Sequence, residues 1–413
     1  MNAAGDLLSV SEDVSGASIS GVVAAGFEDV LQAFTENFRR RGEVGAACAI
    51  YRGDDLLVHL WGGYRDQART ERWNDDTLAC VHSTTKAITA VAMAMAVSRG
   101  HFSLDDTVVS HWPEFGVHGK QHITIRQILD HSAGLPIVEE TLTIEHLADL
   151  DGLSEILARQ KPQWEPGTRH GYHGWTFGMY ANEIMRRTDP EGRSVGQFVA
   201  KEIGESLGEE FYIGLPDTVP DHRLSEEFTN LRTLLDMLTN KPVSTMGRML
   251  RFLFERDTLQ AKMLKNPVEL GQFDQFNTRA VRRLEIPAGN GHGTARAMAH
   301  IMGSCASGGA SLGLSGESLA QWESRHPGTG RDEIEAVMGA RVLFQAGMMK
   351  PNSEHRTLLG RPRCYFHYGS GGHIAFADPD SGLGLGYCNN RILAAVGDRR
   401  SNLLVDAMLG CAD

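Results

Sequence analysis

A serine and a lysine three residues apart form the spacing in this chain with the clearest chemical meaning. Ser83 and Lys86 open a long apolar helical pattern, and no other lysine of the chain follows a serine at this interval. Residues three apart share one face of a helix, so the amine can reach the hydroxyl. A serine hydroxyl becomes a strong nucleophile only when a neighbouring base takes its proton. The pair predicts a serine nucleophile with a lysine base; a capping serine followed by a solvent-exposed lysine is the alternative.

The predicted position at a helix N-terminus favours the chemical interpretation. Free N–H groups and the partial positive charge of a first turn stabilise a developing oxyanion. The same charge, together with burial, lowers the pKa of a lysine such as Lys86 and makes it a usable neutral base.

Strand patterns lie at both ends of the chain, and helical patterns fill its middle. Alternating or continuous apolar runs predict strands at residues 46–52, 56–62, 77–81, 340–348, 364–368, 373–377 and 383–389. Helical spacing predicts helices at residues 23–41, 83–99, 123–131, 152–160, 176–187, 195–207, 231–238, 294–306 and 401–409.

This order of elements predicts an α/β (α+β) protein with one antiparallel sheet built from both chain ends. Terminal helices cover the sheet, and a mostly helical domain is inserted. The predicted boundaries are a flexible lead-in at 1–22, an α/β domain at 23–103 plus 292–413, and a helical domain at 104–291. The active site is expected in the cleft between the two domains.

Composition narrows the classes of function. The net charge of −12 argues against nucleic-acid binding. The most apolar run, residues 87–97, is too short to span a membrane, and the first 21 residues do not have the pattern of a signal peptide, which predicts a cytoplasmic protein. Six scattered cysteines predict neither a zinc site nor a disulfide framework. We expect no cofactor and no metal, and the oligomeric state stays open.

Further motifs give the chain a family resemblance. It resembles the serine β-lactamase-like hydrolases, especially the branch of class C β-lactamases, penicillin-binding proteins and family VIII carboxylesterases. The matching stretches occur in family order over nearly the whole chain: 83–86 (STTK), 112–115 (WPEF), 129–136 (LDHSAGLP), 166–172 (PGTRHGY), 211–216 (FYIGLP) and 367–390.

The resemblance implies a tyrosine as the second catalytic motif. Tyr172 lies six residues after Pro166, where the family places the tyrosine of Tyr-x-Asn, and would share a proton network with Ser83 and Lys86. Gly174 stands where β-lactamases have Asn, a departure that esterases tolerate. A literal Tyr-x-Asn begins at Tyr180, inside a helical pattern, and is interpreted as helix surface or packing.

The third family motif corresponds to residues 367–369 (HYG), followed by Ser370. The resemblance implies that His367 and Gly369 border the substrate and that the backbone N–H groups of Ser83 and Ser370 form the oxyanion hole. His367 replaces a lysine that anchors the carboxylate of a β-lactam. Because histidine is largely neutral at pH 7, the exchange favours small neutral esters. A purely structural strand histidine is the alternative.

Two other sequence patterns are candidates for a functional role. Ser311 sits in a Gly-x-Ser-x-Gly pattern, but a helix pattern precedes it where a nucleophile elbow needs a strand. Residues 290–293 (NGHG) either line the cleft or form a loop at a helix entry. The 17 histidines show no spacing typical of a metal site.

The sequence therefore predicts an esterase that acts on small-molecule esters through an acyl-enzyme on Ser83, with Lys86 and Tyr172 as general base. A β-lactamase or D,D-peptidase on the same fold is the alternative, and acyl transfer is a third chemistry that the same residues permit. A non-enzymatic binding protein remains open, although the conjunction of Ser83, Lys86 and Tyr172 argues against it.

Overall fold

The computed structural model describes residues 7–229, 257–324, 334–352, 361–392 and 398–412. The strands are β1 Leu7–Val14, β2 Ala17–Ala24, β3 Gly45–Arg52, β4 Asp55–Gly63, β5 Ala79–Cys80, β6 Phe211–Ile213, β7 Gly291–Gly293, β8 Leu343–Gln345, β9 Met348–Lys350, β10 Tyr365–Tyr368, β11 Ile374–Asp378 and β12 Leu383–Asn389. The α-helices are α1 Glu28–Arg40, α2 Thr85–Ser98, α3 Ile125–Leu129, α4 Ile144–Ala148, α5 Leu150–Ala158, α6 Thr176–Thr188, α7 Val195–Phe198, α8 Glu205–Leu207, α9 Leu259–Leu264, α10 Arg279–Arg282, α11 Ala295–Ala306, α12 Gly316–Glu323 and α13 Arg399–Ala412.

A nine-stranded antiparallel sheet joins the two ends of the chain. Its strand order is β1-β2-β4-β3-β12-β11-β10-β9-β8, so β3 from the first part of the chain pairs with β12 from the last part. Glycines on β12 let helix α11 pack directly on the sheet, since a Cβ at Gly386 would lie 2.2 Å from the carbonyl oxygen of Ala295. This close packing fixes the centre of the α/β core.

The two faces of the sheet are covered differently. On one face, helices α1 and α13 bury apolar stripes that include Phe34, Phe38, Leu404 and Met408. On the other face lie α11 and the almost wholly buried helix α2. Helix α2 also packs against α6, so it lies between the sheet and the helices of the middle part of the chain.

The α+β fold class with one large antiparallel sheet is confirmed. The predicted flexible lead-in at 1–22 is wrong for its described part, because residues 7–24 form the hairpin β1–β2 and extend the sheet beyond β4. The small and polar residues of this segment resemble a linker in sequence. At a sheet edge one face of a strand meets solvent, so such residues suit the outer strand, and β1 is largely exposed.

Several predicted elements differ in detail. The predicted strand at 340–348 is part of a hairpin, β8–β9, that turns at Ala346 and Gly347, both with positive φ. The predicted helix at 195–207 contains a π-helical turn over Val199–Gly204. Strand β5 lies within the strand predicted at 77–81, but the small sheet β5-β7-β6 was not predicted, because β6 and β7 have only three residues each. The predicted helix at 231–238 lies outside the described residues.

Among the described residues, no helix is both long enough and apolar enough to cross a lipid bilayer.

Candidate active site

Ser83 lies in a short 3₁₀ turn, His82–Thr84, between strand β5 and helix α2. The sequence predicted that Ser83 opens the helix, but α2 begins at Thr85 with Thr84 as its N-cap residue. The Ser83 side chain makes no capping hydrogen bond. It is half-buried, and its Oγ faces Lys86 and Tyr172. The alternative of a simple capping serine is therefore wrong.

Lys86 is fully buried, and its Nζ contacts two oxygen atoms. Nζ lies 3.2 Å from Ser83 Oγ and donates to the carbonyl oxygen of Ala288 at 2.7 Å. Residues 85–96 of helix α2 are all buried, so the lysine is held away from solvent by its own helix and by the segment around Ala288. Burial lowers the pKa of Lys86 well below its usual range. An amine with that pKa can act as a neutral base.

Tyr172 completes the contacts of the serine. Its hydroxyl donates to Ser83 Oγ at 2.7 Å, and the Lys86 Nζ lies 4.8 Å from the centre of its ring. Burial raises the pKa of Tyr172, so the phenol holds its proton. The backbone N–H of Tyr172 donates to the buried carboxylate of Glu335 at 2.8 Å, which anchors this segment. Tyr172 is 89 residues from Ser83 in sequence, so tertiary packing alone brings the two together.

The literal Tyr-x-Asn motif at Tyr180 is confirmed as packing. Tyr180 is fully buried in helix α6 beside Trp112 and Phe115. Asn182 accepts a hydrogen bond from the backbone N–H of Val195 at 2.7 Å. These contacts tie α6 to its neighbours and leave the motif with no contact to Ser83 among the described residues.

Gly174, the departure from the β-lactamase pattern, packs against the side chain of Met263. A Cβ at this position would lie 2.7 Å from the sulfur of Met263, and the Gly174 N–H points at the same sulfur at 3.1 Å. An asparagine therefore does not fit without movement of Met263. The third position of this motif contributes no side chain to the site.

The third predicted motif lies next to the serine. A Cβ at Gly369 would be 2.2 Å from the carbonyl oxygen of Val81 and 2.8 Å from Thr84 Oγ1, so only glycine lets the end of β10 approach the turn around Ser83. The loop that follows carries Ser370. Within the described residues, no hydrogen bond takes up the backbone N–H of Ser83 or of Ser370.

Two side chains hold the backbone of the loop that carries Ser370. The carbonyl oxygen of Gly371 accepts from Asn389 Nδ2 at 3.0 Å and from Arg400 Nη2 at 2.8 Å. Arg400 is itself buried and paired with Glu43 and Asp398. Rigid support of this kind preorganises backbone donors, which is what an oxyanion site needs.

His367 is buried beside the Tyr172 ring, with centroids 6.4 Å apart. Its Nδ1–H donates to the carbonyl oxygen of Tyr368 at 2.7 Å, which leaves Nε2 as an acceptor without a partner. Burial, followed by the charge of Lys86, lowers the pKa of His367 to about 3. The imidazole is therefore neutral at pH 7 and offers a lone pair where β-lactamases offer a cation.

Two further residues at the site had no predicted role. Phe344 stacks on Tyr172 with ring centres 5.6 Å apart, and His131 lies 4.2 Å from Phe344 and 5.3 Å from Tyr172. His131 accepts from the backbone N–H of His173 through Nδ1, while its buried Nε2 has no partner. A sequence signal for His131 existed, because it belongs to the stretch 129–136 that matches the family. Phe344 lies on a three-residue strand and had no such signal.

The remaining candidates make no hydrogen bond to Ser83, Lys86 or Tyr172 within the described residues. The loop predicted at residues 290–293 is a strand instead, because Gly291–Gly293 is the central strand β7 of the small sheet; it leads directly into helix α11, whose N-cap residue is Thr294. Ser311 is exposed in a 3₁₀ turn, Ala310–Leu312, and hydrogen-bonds to Asp54 and Ser304.

Comparisons with known proteins identify the family of the chain. The family model described as Beta-lactamase matches residues 27–405. Esterase/beta-lactamase LipL of Mycobacterium tuberculosis (strain ATCC 25618 / H37Rv) is 28% identical over 386 residues, which cover 92% of this chain and 85% of the relative.

Solved structures show the same relationship. The crystal structure of a family VIII carboxylesterase superposes with a TM-score of 0.81 at 30% identity, covering 95% of this chain and 99% of the other. A penicillin-binding protein homologue from Caulobacter crescentus gives a TM-score of 0.79 at 30% identity over the same shares of the two chains. The predicted resemblance is thereby confirmed: the chain belongs to the Beta-lactamase family and has the fold of its serine hydrolases.

Proposed function

We propose that the protein is a serine carboxylesterase that hydrolyses small neutral esters through an acyl-enzyme on Ser83. The observation that carries the proposal is the position of Ser83 Oγ, which lies 3.2 Å from Lys86 Nζ and 2.7 Å from Tyr172 Oη. Both groups touch the same oxygen, and the buried lysine has a lowered pKa. This is the environment in which a serine hydroxyl becomes nucleophilic.

In the acylation step, neutral Lys86 accepts the Ser83 proton as Oγ attacks the ester carbonyl carbon. The carbonyl π electrons move to oxygen, and the N–H groups of Ser83 and Ser370 hold the oxyanion. When the tetrahedral intermediate collapses, the C–O bond to the alcohol breaks. Tyr172, hydrogen-bonded at Oγ, passes a proton to the departing alkoxide and is reprotonated from Lys86.

Deacylation repeats these steps with water in place of the alcohol. Lys86 and Tyr172 together take a proton from water, the hydroxide attacks the acyl carbon, and the bond to Ser83 Oγ breaks with return of the proton to Oγ. The carboxylic acid product then leaves. The side chains of the chain itself account for every proton transfer.

Neutral ester substrates fit the chemistry around His367. A substrate carboxylate placed beside its Nε2 would meet a lone pair and no positive charge, because the Nδ1–H is committed to Tyr368. Phe344 stacks on Tyr172, whose hydroxyl contacts Ser83, and this apolar ring beside the proposed base favours an uncharged acyl or alcohol group. The similarity to a family VIII carboxylesterase at 30% identity supports the same substrate class.

Serine-directed trapping tests this proposal. A p-nitrophenyl phosphonate should attach to Ser83 in the wild type, and mass spectrometry of the peptides should locate the adduct. Ser83→Ala should lose the adduct and lower the turnover of p-nitrophenyl butyrate by at least about 10³-fold with an unchanged thermal midpoint. Wild-type protein that hydrolyses no ester and forms no adduct would instead favour a binding protein on the same fold.

A β-lactamase or D,D-peptidase is the second candidate, and the relative named Esterase/beta-lactamase favours it. Turnover of a chromogenic cephalosporin, measured beside p-nitrophenyl esters of several chain lengths, separates the two. We expect esters to be the better substrates. A cephalosporin kcat/KM above that of every ester would assign the protein to the second class.

A further inference from the structure

The residue directly before Ser83 has an unusual backbone conformation. His82 has φ of +46°, the left-handed region that residues with a Cβ rarely adopt. The chain leaves strand β5 and enters the 3₁₀ turn at this point. The direction in which Ser83 faces Lys86 and Tyr172 therefore depends on how firmly His82 is kept in this conformation.

A buried carboxylate holds the His82 side chain. Its Nε2–H donates to Glu227 Oε2 at 2.9 Å, and both residues are buried. The edges of Phe273 and Phe276 pack against the imidazole, with ring centres 5.3 and 5.0 Å away. The side chain of Asn277 holds the backbone of Glu227. Its Oδ1 accepts from the Glu227 N–H at 2.9 Å, and its Nδ2 donates to the Glu227 carbonyl oxygen at 2.8 Å.

The backbone of His82 is held as well. Thr85 Oγ1 donates to the His82 carbonyl oxygen at 2.5 Å, and the N–H of Gly291 donates to Thr85 Oγ1 at 2.9 Å. A Cβ at Gly291 would lie 2.6 Å from Thr85 Oγ1, so glycine is required for this approach. The left-handed residue is thus clamped at its side chain and at its carbonyl.

A metal-ion interpretation of the same cluster agrees less well with its geometry. Ligand atoms of Cys80, His82 and Glu227 lie within 4.8 Å of one another. Two ligands of a tetrahedral zinc ion are about 3.3 Å apart, given zinc–ligand bonds of about 2.0–2.2 Å. The 2.9 Å between His82 Nε2 and Glu227 Oε2 is shorter than this and matches a hydrogen bond.

We propose that the Glu227–His82 pair positions the nucleophile, by holding His82 in the left-handed conformation that aims Ser83 Oγ at Lys86 and Tyr172. Neither residue touches substrate, so both are positioning residues. The proposal rests on the proposed esterase function, in which Ser83 is the nucleophile. Small displacements of a reacting atom cost about 10²-fold in rate, so the pair should affect kcat far more than KM.

The test compares Glu227→Ala with Glu227→Gln. The alanine variant removes the acceptor of His82, and we expect kcat for p-nitrophenyl butyrate and the rate of phosphonate attachment each to fall about 10- to 100-fold with little change in KM. The glutamine variant keeps an oxygen acceptor and should recover most of that loss. If Glu227→Ala does not fold, His82→Gly removes the imidazole while glycine still permits positive φ, and it should show the same kcat loss.

A second buried histidine–carboxylate pair is the matched control. His300 Nδ1 lies 3.3 Å from Glu209 Oε1, and both are buried near Tyr51, away from the catalytic contacts. Glu209→Ala should lower the thermal midpoint but leave the phosphonate rate of the folded protein within about twofold of wild type.

Equal phosphonate rates in wild type and Glu227→Ala would overturn the positioning role, as would equal losses in Glu227→Ala and Glu209→Ala. Failure of the esterase proposal itself gives a different result, because the wild type would then form no adduct on Ser83.

Discussion

Ser83 and Ser311 show how different surroundings separate two serines that both occur in nucleophile-like sequence patterns. Each lies in a 3₁₀ turn and each hydrogen-bonds to charged or titratable side chains. Ser83 is half-buried and contacts an amine and a phenol. Ser311 is exposed, and its Oγ donates to the carboxylate of Asp54 at 2.9 Å.

The surroundings of Ser311 even contain the residue types of a catalytic triad. His300 Nε2 lies 3.3 Å from the same Asp54 oxygen. The order of contacts is wrong, however, because the carboxylate and not the imidazole touches the serine. A carboxylate is a much weaker base than a neutral imidazole or amine, so it cannot activate the hydroxyl in the same way. The comparison teaches that the proposed nucleophile differs from the structural serine in the group that directly contacts its Oγ.

Removal of the proposed base gives the largest expected effect. Lys86→Met keeps a long apolar stem in the buried site and should lower kcat/KM for p-nitrophenyl butyrate by about 10²–10⁴-fold. Lys120→Met is the control, because Lys120 is also fully buried, donates to the carbonyl oxygen of Ala158 at 2.7 Å and has its pKa lowered by burial to about 8. We expect this control to lower stability and to keep activity within about threefold.

The pH profile of the wild type should report the same lysine. Because only neutral Lys86 accepts a proton, kcat/KM is lost as the pH falls through the lysine pKa, about tenfold per pH unit, and levels off above it. Burial lowers that pKa well below its usual range, so the plateau should begin well below pH 10. A rate that still climbs steeply at pH 10 would show that the base is a lysine of ordinary pKa.

The second largest effect should come from Tyr172. Tyr172→Phe removes the hydroxyl that donates to Ser83 Oγ at 2.7 Å, and we expect kcat to fall about 10²-fold, within the range of general acid–base catalysis. Tyr180→Phe removes a buried hydroxyl that donates to the carbonyl oxygen of Leu157 at 3.3 Å. That variant should change the free energy of unfolding by about 1 kcal/mol and leave kcat unchanged. The reverse pattern would make the literal Tyr-x-Asn motif the catalytic one.

The smallest effect should come from Ser311. Ser311→Ala should keep ester turnover and phosphonate attachment within about twofold of wild type, since its oxygen contacts no base and lies on an exposed turn. Peptide mapping after phosphonate treatment supplies the check. An adduct on Ser311 would break the comparison and restore the lipase-like motif.

Much of the fold followed from periodicity, and the errors have common physical causes. Helices α2, α6 and α11 and strands β3, β4, β10, β11 and β12 were predicted to within two residues, because each is long enough to show its period, whereas the helix predicted at 23–41 began five residues before α1. Strand β5 lies within the strand predicted at 77–81, but the three-residue strands β6 and β7 carry too few side chains for a pattern. The β1–β2 hairpin was missed because an edge strand does not need an apolar sequence.

The residues of the candidate site also differ in whether the sequence indicated them. The Ser83–Lys86 spacing is local, so helix geometry alone indicated that the two side chains meet. The family resemblance then indicated Tyr172 and residues 367–370. The roles of Phe344 and Glu335 had no sequence signal, because each contacts Tyr172, a residue distant in the chain.

The sequence by itself determined which residues are candidates for the chemistry and that Lys86 lies three residues from Ser83, about one helical turn, since covalent geometry sets local spacing. Only the tertiary structure decided that Tyr172, 89 residues away, completes the contacts of Ser83 and that Glu227 holds His82 from 145 residues away. It also decided that the pKa values of both Lys86 and His367 are lowered, because burial disfavours the charged form of each side chain. Burial and long-range contact are properties of the packed chain, so no short stretch of sequence contains them.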